Sequence, residues 1–285
     1  MIPAPFEYRR ASSVKEAVEL LGSEEDAKAI AGGHSLLPLM RLRLARPSTL
    51  VDIARIGDLS YVRKDGKEVA IGALTRHHDI ANDGTLAKEC PIVAWTAGQI
   101  GDPQVRHVGT IGGSVAHADP ASDLPTVLLA LGATFVVQGP KKERRVAAKD
   151  FFQGLFTADL AADELLTEIR VPVTAGQGWS YQKFRRRAQD WAIVGVAALT
   201  GNGDGPAVAL TSMGDRPLRA AGVEKALAVG SDATTAAEHA SEGTSPPSDA
   251  FASAEYRREV AKVIDRKSTR LNSSHTDISR MPSSA

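Results

Sequence analysis

Two glycine-bearing segments, Ala31-Gly32-Gly33-His34-Ser35-Leu36 and Gly109-Thr110-Ile111-Gly112-Gly113-Ser114, hold the residues best suited to chemistry in this 285-residue chain. Each offers backbone amides with no side chain in front of them and a hydroxyl close by, as a bulky anion such as a diphosphate requires. A dinucleotide is the ligand this suggests. Neither segment reads G-x-G-x-x-G after a strand or G-x-x-x-x-G-K-[ST], so the Rossmann and P-loop solutions do not fit. A glycine pair alone is ordinarily a turn, and the surroundings make the difference. The first pair lies between a strand-like Lys28-Ala29-Ile30-Ala31 and an apolar helical run from Leu36 to Leu44. The second lies between the loop Gly101-Asp102-Pro103-Gln104 and a small-residue stretch ending in Asp119-Pro120-Ala121-Ser122-Asp123.

Other constellations carry less. His77-His78-Asp79 has no second cluster at metal-ligand spacing and reads as a solvated helix start. Gly112-Gly113-Ser114-Val115-Ala116 lacks the last glycine of a nucleophile elbow. Arg185-Arg186-Arg187, with Lys183, is a basic cluster without aromatic stacking partners, so it reads as a subunit or cofactor surface and not a nucleic-acid site. Cys90 is the only cysteine. It excludes an internal disulfide and any cluster held by several thiolates of this chain, and it reads as a buried small apolar residue.

The elements that must position the glycine segments follow from pattern. Ser13-Val14-Lys15-Glu16 reads as a capping box opening an amphipathic helix that Gly22 stops. Strands are expected at 28 to 31 and 49 to 53, and a hairpin over 59 to 74 turns at Asp65-Gly66. Pro125 in a first helical turn and a closing Gly132 frame a helix before a strand at 134 to 137. Strand-like runs at 165 to 173, 179 to 186 and 191 to 200 lead to a Gly-Asn-Gly-Asp-Gly turn and a further strand from Ala207 to Met213. Helices are expected at 217 to 229 and 254 to 264, with a mobile loop at 231 to 250 between them. With 43% hydrophobic residues the chain can fill a sizeable core. Its 34 basic and 34 acidic residues give a formal net charge of zero, hence no global field toward nucleic acid. The start resembles no signal peptide and no run reaches the ~18 apolar residues of a membrane span, so the chain reads as cytoplasmic, with attachment to the inner membrane face left open.

The segments AGGHSLLPLMRLRLARP (31 to 47), IGDPQVRHVGTIGGSVAHADPASDLP (100 to 125), ELLTEIRVP (164 to 172) and KFRRRAQDWA (183 to 192) together resemble the FAD-binding medium subunit of the molybdenum hydroxylases, that of aerobic carbon monoxide dehydrogenase above all. The resemblance implies an α+β fold, a p-cresol methylhydroxylase-type FAD-binding domain in two lobes followed by a smaller α+β domain. We expect the lobes at about 1 to 56 and 57 to 175 and the C-terminal domain at 176 to 265. The stretch 266 to 285 resembles translated adapter sequence and is expected to add nothing to the fold, a disordered polar tail being the alternative.

The resemblance also implies FAD contacts at Lys28, Ala29, Ile30, Ala31, Gly32, Gly33, His34, Ser35 and Leu36. In the second segment it implies Ile100, Gly101, Val105, Gly109, Thr110, Gly113, Ser114, Ala118 and Asp123, and further on Leu166, Lys183 and Trp191. Backbone amides of 32 to 35 and 110 to 114 would hold the diphosphate, with hydroxyl donors from Ser35 and Thr110. Ser114 stands where the family often has Asn and reaches less far. Asp123 reads either as an acceptor for a ribityl or ribose hydroxyl or as a helix N-cap. Lys183 reads either as positive charge near the flavin pyrimidine edge or as a solvated strand lysine, and Trp191 as an aromatic beside the flavin or a core residue.

The function implied is an FAD electron-transfer subunit. It would take electrons from a two-iron two-sulfur small subunit, fed by a molybdenum-containing large subunit, and pass them to an external acceptor, within a dimer of heterotrimers. No catalytic dyad and no metal ligand are expected here. A medium subunit serving xanthine, aldehyde or aromatic-heterocycle oxidation, a free-standing flavin oxidoreductase, and a module that has lost FAD remain as alternatives.

Overall fold

The computed structural model describes residues 2–201 and 205–272. The first lobe runs β1 (Glu7–Arg10), α1 (Val14–Ser23), β2 (Ala27–Ile30), α2 (Leu36–Arg41) and β3 (Thr49–Asp52), its strands forming a parallel sheet in the order β1-β3-β2. At the head of α1, Ser13 Oγ accepts from Glu16 N–H at 3.2 Å, while the Glu16 carboxylate accepts from Ser12 N–H at 2.7 Å. The capping box is therefore closed one residue upstream of the expected Ser13, and hydrogen bonds from the Ser12 hydroxyl and then its amide hold the Glu16 carboxyl below the usual carboxylate range. Ala17, Val18 and Leu21 form the buried stripe. Gly22 lies inside α1 and does not end it; the chain leaves through an extended Glu24.

The second lobe carries β4 (Val62–Asp65) and β5 (Glu68–Gly72), then α3 (His77–Ala81), α4 (Gly84–Glu89), α5 (Pro91–Gly98), α6 (Pro103–Val108), α7 (Ile111–His117) and α8 (Asp123–Ala130). It closes with β6 (Thr134–Gln138), β7 (Glu143–Ala147), α9 (Ala148–Phe151), β8 (Phe152–Gly154), β9 (Thr157–Ala158) and β10 (Leu165–Pro172). Five strands pair antiparallel in the order β4-β5-β10-β6-β7. The β4–β5 hairpin turns at Asp65-Gly66 as its sequence requires, Gly66 having φ 61°. Every residue of α8 is buried. Such a helix, apolar nearly all round, belongs in the middle of a core.

The C-terminal part pairs β11 (Trp179–Phe184), β12 (Val194–Leu199), β13 (Ala207–Thr211) and β14 (Leu218–Arg219) antiparallel in that order, followed by α10 (Ala221–Ala228), α11 (Ala233–Ala237) and α12 (Ala254–Asn272). Alternation along β12 explains why all six residues are buried. Val194, Val196 and Ala198 join the core shared with α10 to α12, while Ala197 and Leu199 join the large core that contains α5 and α8. One sheet thus glues the two parts together. Much of the expected Gly-Asn-Gly-Asp-Gly turn, residues 202–204, lies outside the described residues.

Two further expectations are corrected. The stretch read as a mobile loop contains α11, capped by Asp232 accepting from Thr234 and Thr235 N–H at 2.8 and 3.1 Å, and buries Ala236, Ala237 and Ala240. Small residues made it look loop-like; they are what lets it pack closely. Nor does α12 lose its packing after Ile264, since Ser268 and Thr269 are buried and the Thr269 hydroxyl donates to Asp265 O at 2.9 Å. Residues 273–285 lie outside the described residues.

This turn of α12 is poorly matched to its groove. Both carboxylate oxygens of Asp265 and the Ser268 hydroxyl are buried without a hydrogen-bond partner among the described residues. Burial pushes the Asp265 carboxyl up to about 7. A folded-state value above the unfolded one means that the penalty is absent at low pH and grows as pH rises through that interval. Asp265→Asn should raise the melting temperature by a few degrees at about pH 8 and change it little at about pH 4. Paired thermal melts test this, and an equal shift at both pH values would contradict it.

Candidate functional site

The two glycine segments meet in space. Gly32 lies so close to the second segment that a Cβ on it would overlap the Val108 carbonyl and sit 3.0 Å from Gly109 Cα. No other residue type fits there. Gly109 in turn rests on the His77 ring, where a Cβ would come 3.0 Å from Cδ2, and Gly109 O accepts from His77 N–H at 3.0 Å. The end of β5 and the start of α3 thereby hold the second segment from behind.

That support consumes donors. The amides of Ile111 and Gly112 donate to Thr75 O and Ala73 O at 3.1 and 2.8 Å, and those of Gly113 and Ser114 to Thr110 Oγ1 and Thr110 O at 3.2 and 3.1 Å. Four of the five amides expected to hold an anion there are already engaged, because Thr110 caps α7. The first segment is different. Among the described residues no protein group accepts from the N–H of Gly32, Gly33, His34 or Ser35, and Gly33 has φ 71°. Successive free amides around a positive-φ glycine form an anion nest. The Thr110 N–H is likewise unclaimed, and its capping hydroxyl keeps a hydrogen to donate.

Lys28, Ala29 and Ile30 lie on β2, which delivers the chain into this nest, and Leu36 opens α2 beyond it. Ile100 and Gly101 form the turn before α6, with Gly101 at φ 45° against Val105, and Arg106 Nη1 ties the turn down by donating to their carbonyls at 2.9 and 3.3 Å. Ser114 is on α7 beside the exposed Gly113, and Ala118 ends that helix in the left-handed region at φ 51°. The Leu166 side chain belongs to the core. His77, read as part of a solvated helix start, is 5% exposed and packs beneath the second segment. Burial, then the nearby His34 and Arg106, push it down to about 4, so it is neutral at physiological pH. His78, its neighbour, stacks on His107 at 3.8 Å. Among the described residues no group of three His, Cys, Asp or Glu is placed to hold a metal.

Asp123 and Lys183 form a second centre, where the two parts of the chain join. Asp123 is the first residue of α8, and Ser122 holds the N-cap position, so Asp123 does not serve as the cap. Its Oδ2 accepts from Lys183 Nζ at 2.8 Å and its Oδ1 from Tyr181 Oη at 2.5 Å. Lys183 also donates to Gln99 O at 3.2 Å, and its side chain is 4% exposed, the opposite of a solvated strand lysine. Arg185 holds the same Gln99 through its carbonyl and its Oε1, both at 3.2 Å. Sequence reasoning missed Tyr181 and Gln99, and nothing local marks either one. Trp191 is not in the core: it is 57% exposed and borders a cavity of about 250 Å³ with Asp119, Pro120, Phe251 and Arg257. Cys90 is fully buried, which pushes its thiol up to about 11 and leaves it inert.

Comparison with known proteins fits this geometry. Residues 4–174 match the sequence model of the FAD binding domain in molybdopterin dehydrogenase, and residues 179–270 that of the CO dehydrogenase flavoprotein C-terminal domain. The chain is 41% identical over 277 residues to the carbon monoxide dehydrogenase medium chain of Afipia carboxidovorans, covering 94% of this chain and 96% of that one. It is equally 41% identical over 276 residues to the glyceraldehyde dehydrogenase medium chain of Sulfolobus acidocaldarius, covering 94% and 98%. Its fold superposes on a chain of the carbon monoxide dehydrogenase of Hydrogenophaga pseudoflava with TM-score 0.92 and 40% identity, covering 96% and 99%.

The close approach at Gly32 is directly testable. Gly32→Ala forces the first segment away from Val108 and should weaken FAD binding by at least about tenfold, while Gly84→Ala, where a Cβ meets nothing within 4 Å, should leave it unchanged. Flavin fluorescence titration of both folded variants decides. Equal affinities would show that contact between the segments is not needed.

Proposed function

Because the chain belongs to the FAD-binding medium subunits of the molybdenum hydroxylases, and resembles carbon monoxide dehydrogenase medium chains over nearly its whole length, we propose that it binds one FAD noncovalently and works as the electron-transfer flavoprotein of a larger complex. The unclaimed amides of Gly32 to Ser35 carry this reading. They suit a diphosphate, and at Gly32 the backbone meets that of Val108 and Gly109 with no side chain between them. Thr110 adds an amide and a hydroxyl from the facing segment. Lys28 to Leu36, Ile100, Gly101, Val105, Gly109, Thr110, Gly113, Ser114, Ala118, Asp123, Leu166, Lys183 and Trp191 are the positions we assign to FAD contact.

When bound, FAD accepts electrons singly or in pairs and passes them on in either number. This chain's own task is to hold the ring, exclude competing contacts and set the electrostatic field around it. With one cysteine it cannot ligate an iron-sulfur cluster through several thiolates, so we place the two-iron two-sulfur clusters on a small subunit and the molybdenum cofactor on a large one. We further propose a dimer of such heterotrimers in the cytoplasm, delivering electrons to an external acceptor. Carbon monoxide is the favoured substrate of the complex. The equal identity to a glyceraldehyde dehydrogenase medium chain supports a second reading, in which the large subunit oxidises an aldehyde and this chain is unchanged in role.

Acid precipitation of the flavin-loaded chain should release FAD into the supernatant, and yellow colour kept in the pellet would contradict noncovalent binding. The purified chain without partners should not turn over NADH or aldehydes with an artificial acceptor. Sustained turnover would make it a free-standing oxidoreductase instead.

A further inference from the structure

The junction between α8 and the β11–β13 sheet contains a buried polar chain that begins at Lys183 and does not stop at Asp123. Tyr181 Oη donates to Asp123 Oδ1 at 2.5 Å, and the Thr211 hydroxyl borders the phenol and donates to Thr126 Oγ1 at 2.8 Å. Gly195, opposite on β12, clears the space: a Cβ there would stand 2.8 Å from both Tyr181 Oη and Thr211 Oγ1. Asp123, Tyr181, Thr126 and Thr211 are all buried, as is the Lys183 ammonium, so each member must find its partners inside the protein.

We propose that Tyr181 is a positioning residue: by holding one oxygen of Asp123 it fixes how strongly the other binds Lys183, and so sets the positive field that Lys183 presents to the flavin. This rests on the assignment of FAD to the site. Burial and Asp123 push the phenol well above its ordinary pKa, so it remains a donor throughout the physiological range. A carboxylate robbed of that donor keeps Lys183 as its one hydrogen-bond donor among the described residues, and draws the ammonium more tightly to itself. Less positive charge is then felt by the reduced, anionic flavin, whose stability falls. The geometry also explains why β11 carries both residues: Tyr181 and Lys183, two apart, share one face of the strand.

Tyr181→Phe keeps the ring and removes only the hydroxyl. In the FAD-loaded full-length chain, dye-equilibrated reduction should show a more negative flavin midpoint potential for Tyr181→Phe. Lys183→Met should shift it further in the same direction. Thr211→Val, which keeps the phenol but removes its neighbour, should give a smaller shift of the same sign and serves if Tyr181→Phe fails to fold. FAD affinity of Tyr181→Phe should fall by less than about tenfold, as for one lost hydrogen bond. A parental potential in folded Tyr181→Phe, or in Thr211→Val should Tyr181→Phe not fold, overturns the proposal. Failure of the parent chain to bind FAD at all would instead overturn the cofactor assignment on which it rests.

Discussion

The contact of Gly32 with the Val108–Gly109 backbone is the constraint on which the rest of the structure depends. It brings a loop of the first lobe against a loop of the second without any side chain between them, so each loop serves as the floor of the other. The second loop is made rigid at the cost of its own donors: Thr110 caps α7, and Ala73 and Thr75 take the next amides. The first loop, braced from outside, keeps its amides free. One loop acts as the anvil and the other as the nest, a division of labour that two similar glycine motifs conceal.

A second constraint lies at the junction of α8 with the C-terminal sheet. Lys183 and Asp123 are both removed from water, where an ion pair is stable only if its remaining hydrogen-bonding capacity is filled. Gln99 O accepts from Lys183 and Tyr181 donates to Asp123, while Arg185 holds Gln99 in place. Because Gln99 follows α5 and Asp123 opens α8, the pair also pins the sheet to two helices of the FAD-binding part. Arg185 to Trp191 continue directly from β11, so the segment that bears Trp191 starts from a fixed point.

The fold class was legible because its signals are local: the hairpin at Asp65-Gly66, the apolar helix after Pro125, and β strands of branched residues. The glycine segments stood out for the same reason, and they do meet in space, as the contact of Gly32 with Val108 and Gly109 shows. What could not be read is which amides remain free, since beside the local cap by Thr110 two of them go to Ala73 and Thr75, just past a distant hairpin. His77 looked solvated because its neighbours are polar, yet Gly109 and α6 cover it. Asp123 offered two readings at the sequence level, and neither anticipated Tyr181 and Lys183, more than fifty residues on, as its partners. α11 was missed because alanine and threonine, which suit close helix packing here, also compose loops. The continuation of α12 past Ile264 was missed because its pattern ends there, and the Asp265 carboxylate and Ser268 hydroxyl, without partners among the described residues, are the physical trace of that mismatch.

On this reading the first loop supplies most of the donors to the anion, and the second braces it and contributes Thr110 alone. Hydrogen–deuterium exchange of the full chain with and without FAD tests it at single-amide level. The account predicts that FAD slows exchange at Gly32, Gly33, His34, Ser35 and Thr110, while Ile111, Gly112, Gly113 and Ser114, already bonded, are slow in both states. Protection gained at Ile111 to Ser114, with Gly32 to Ser35 unchanged, would contradict it.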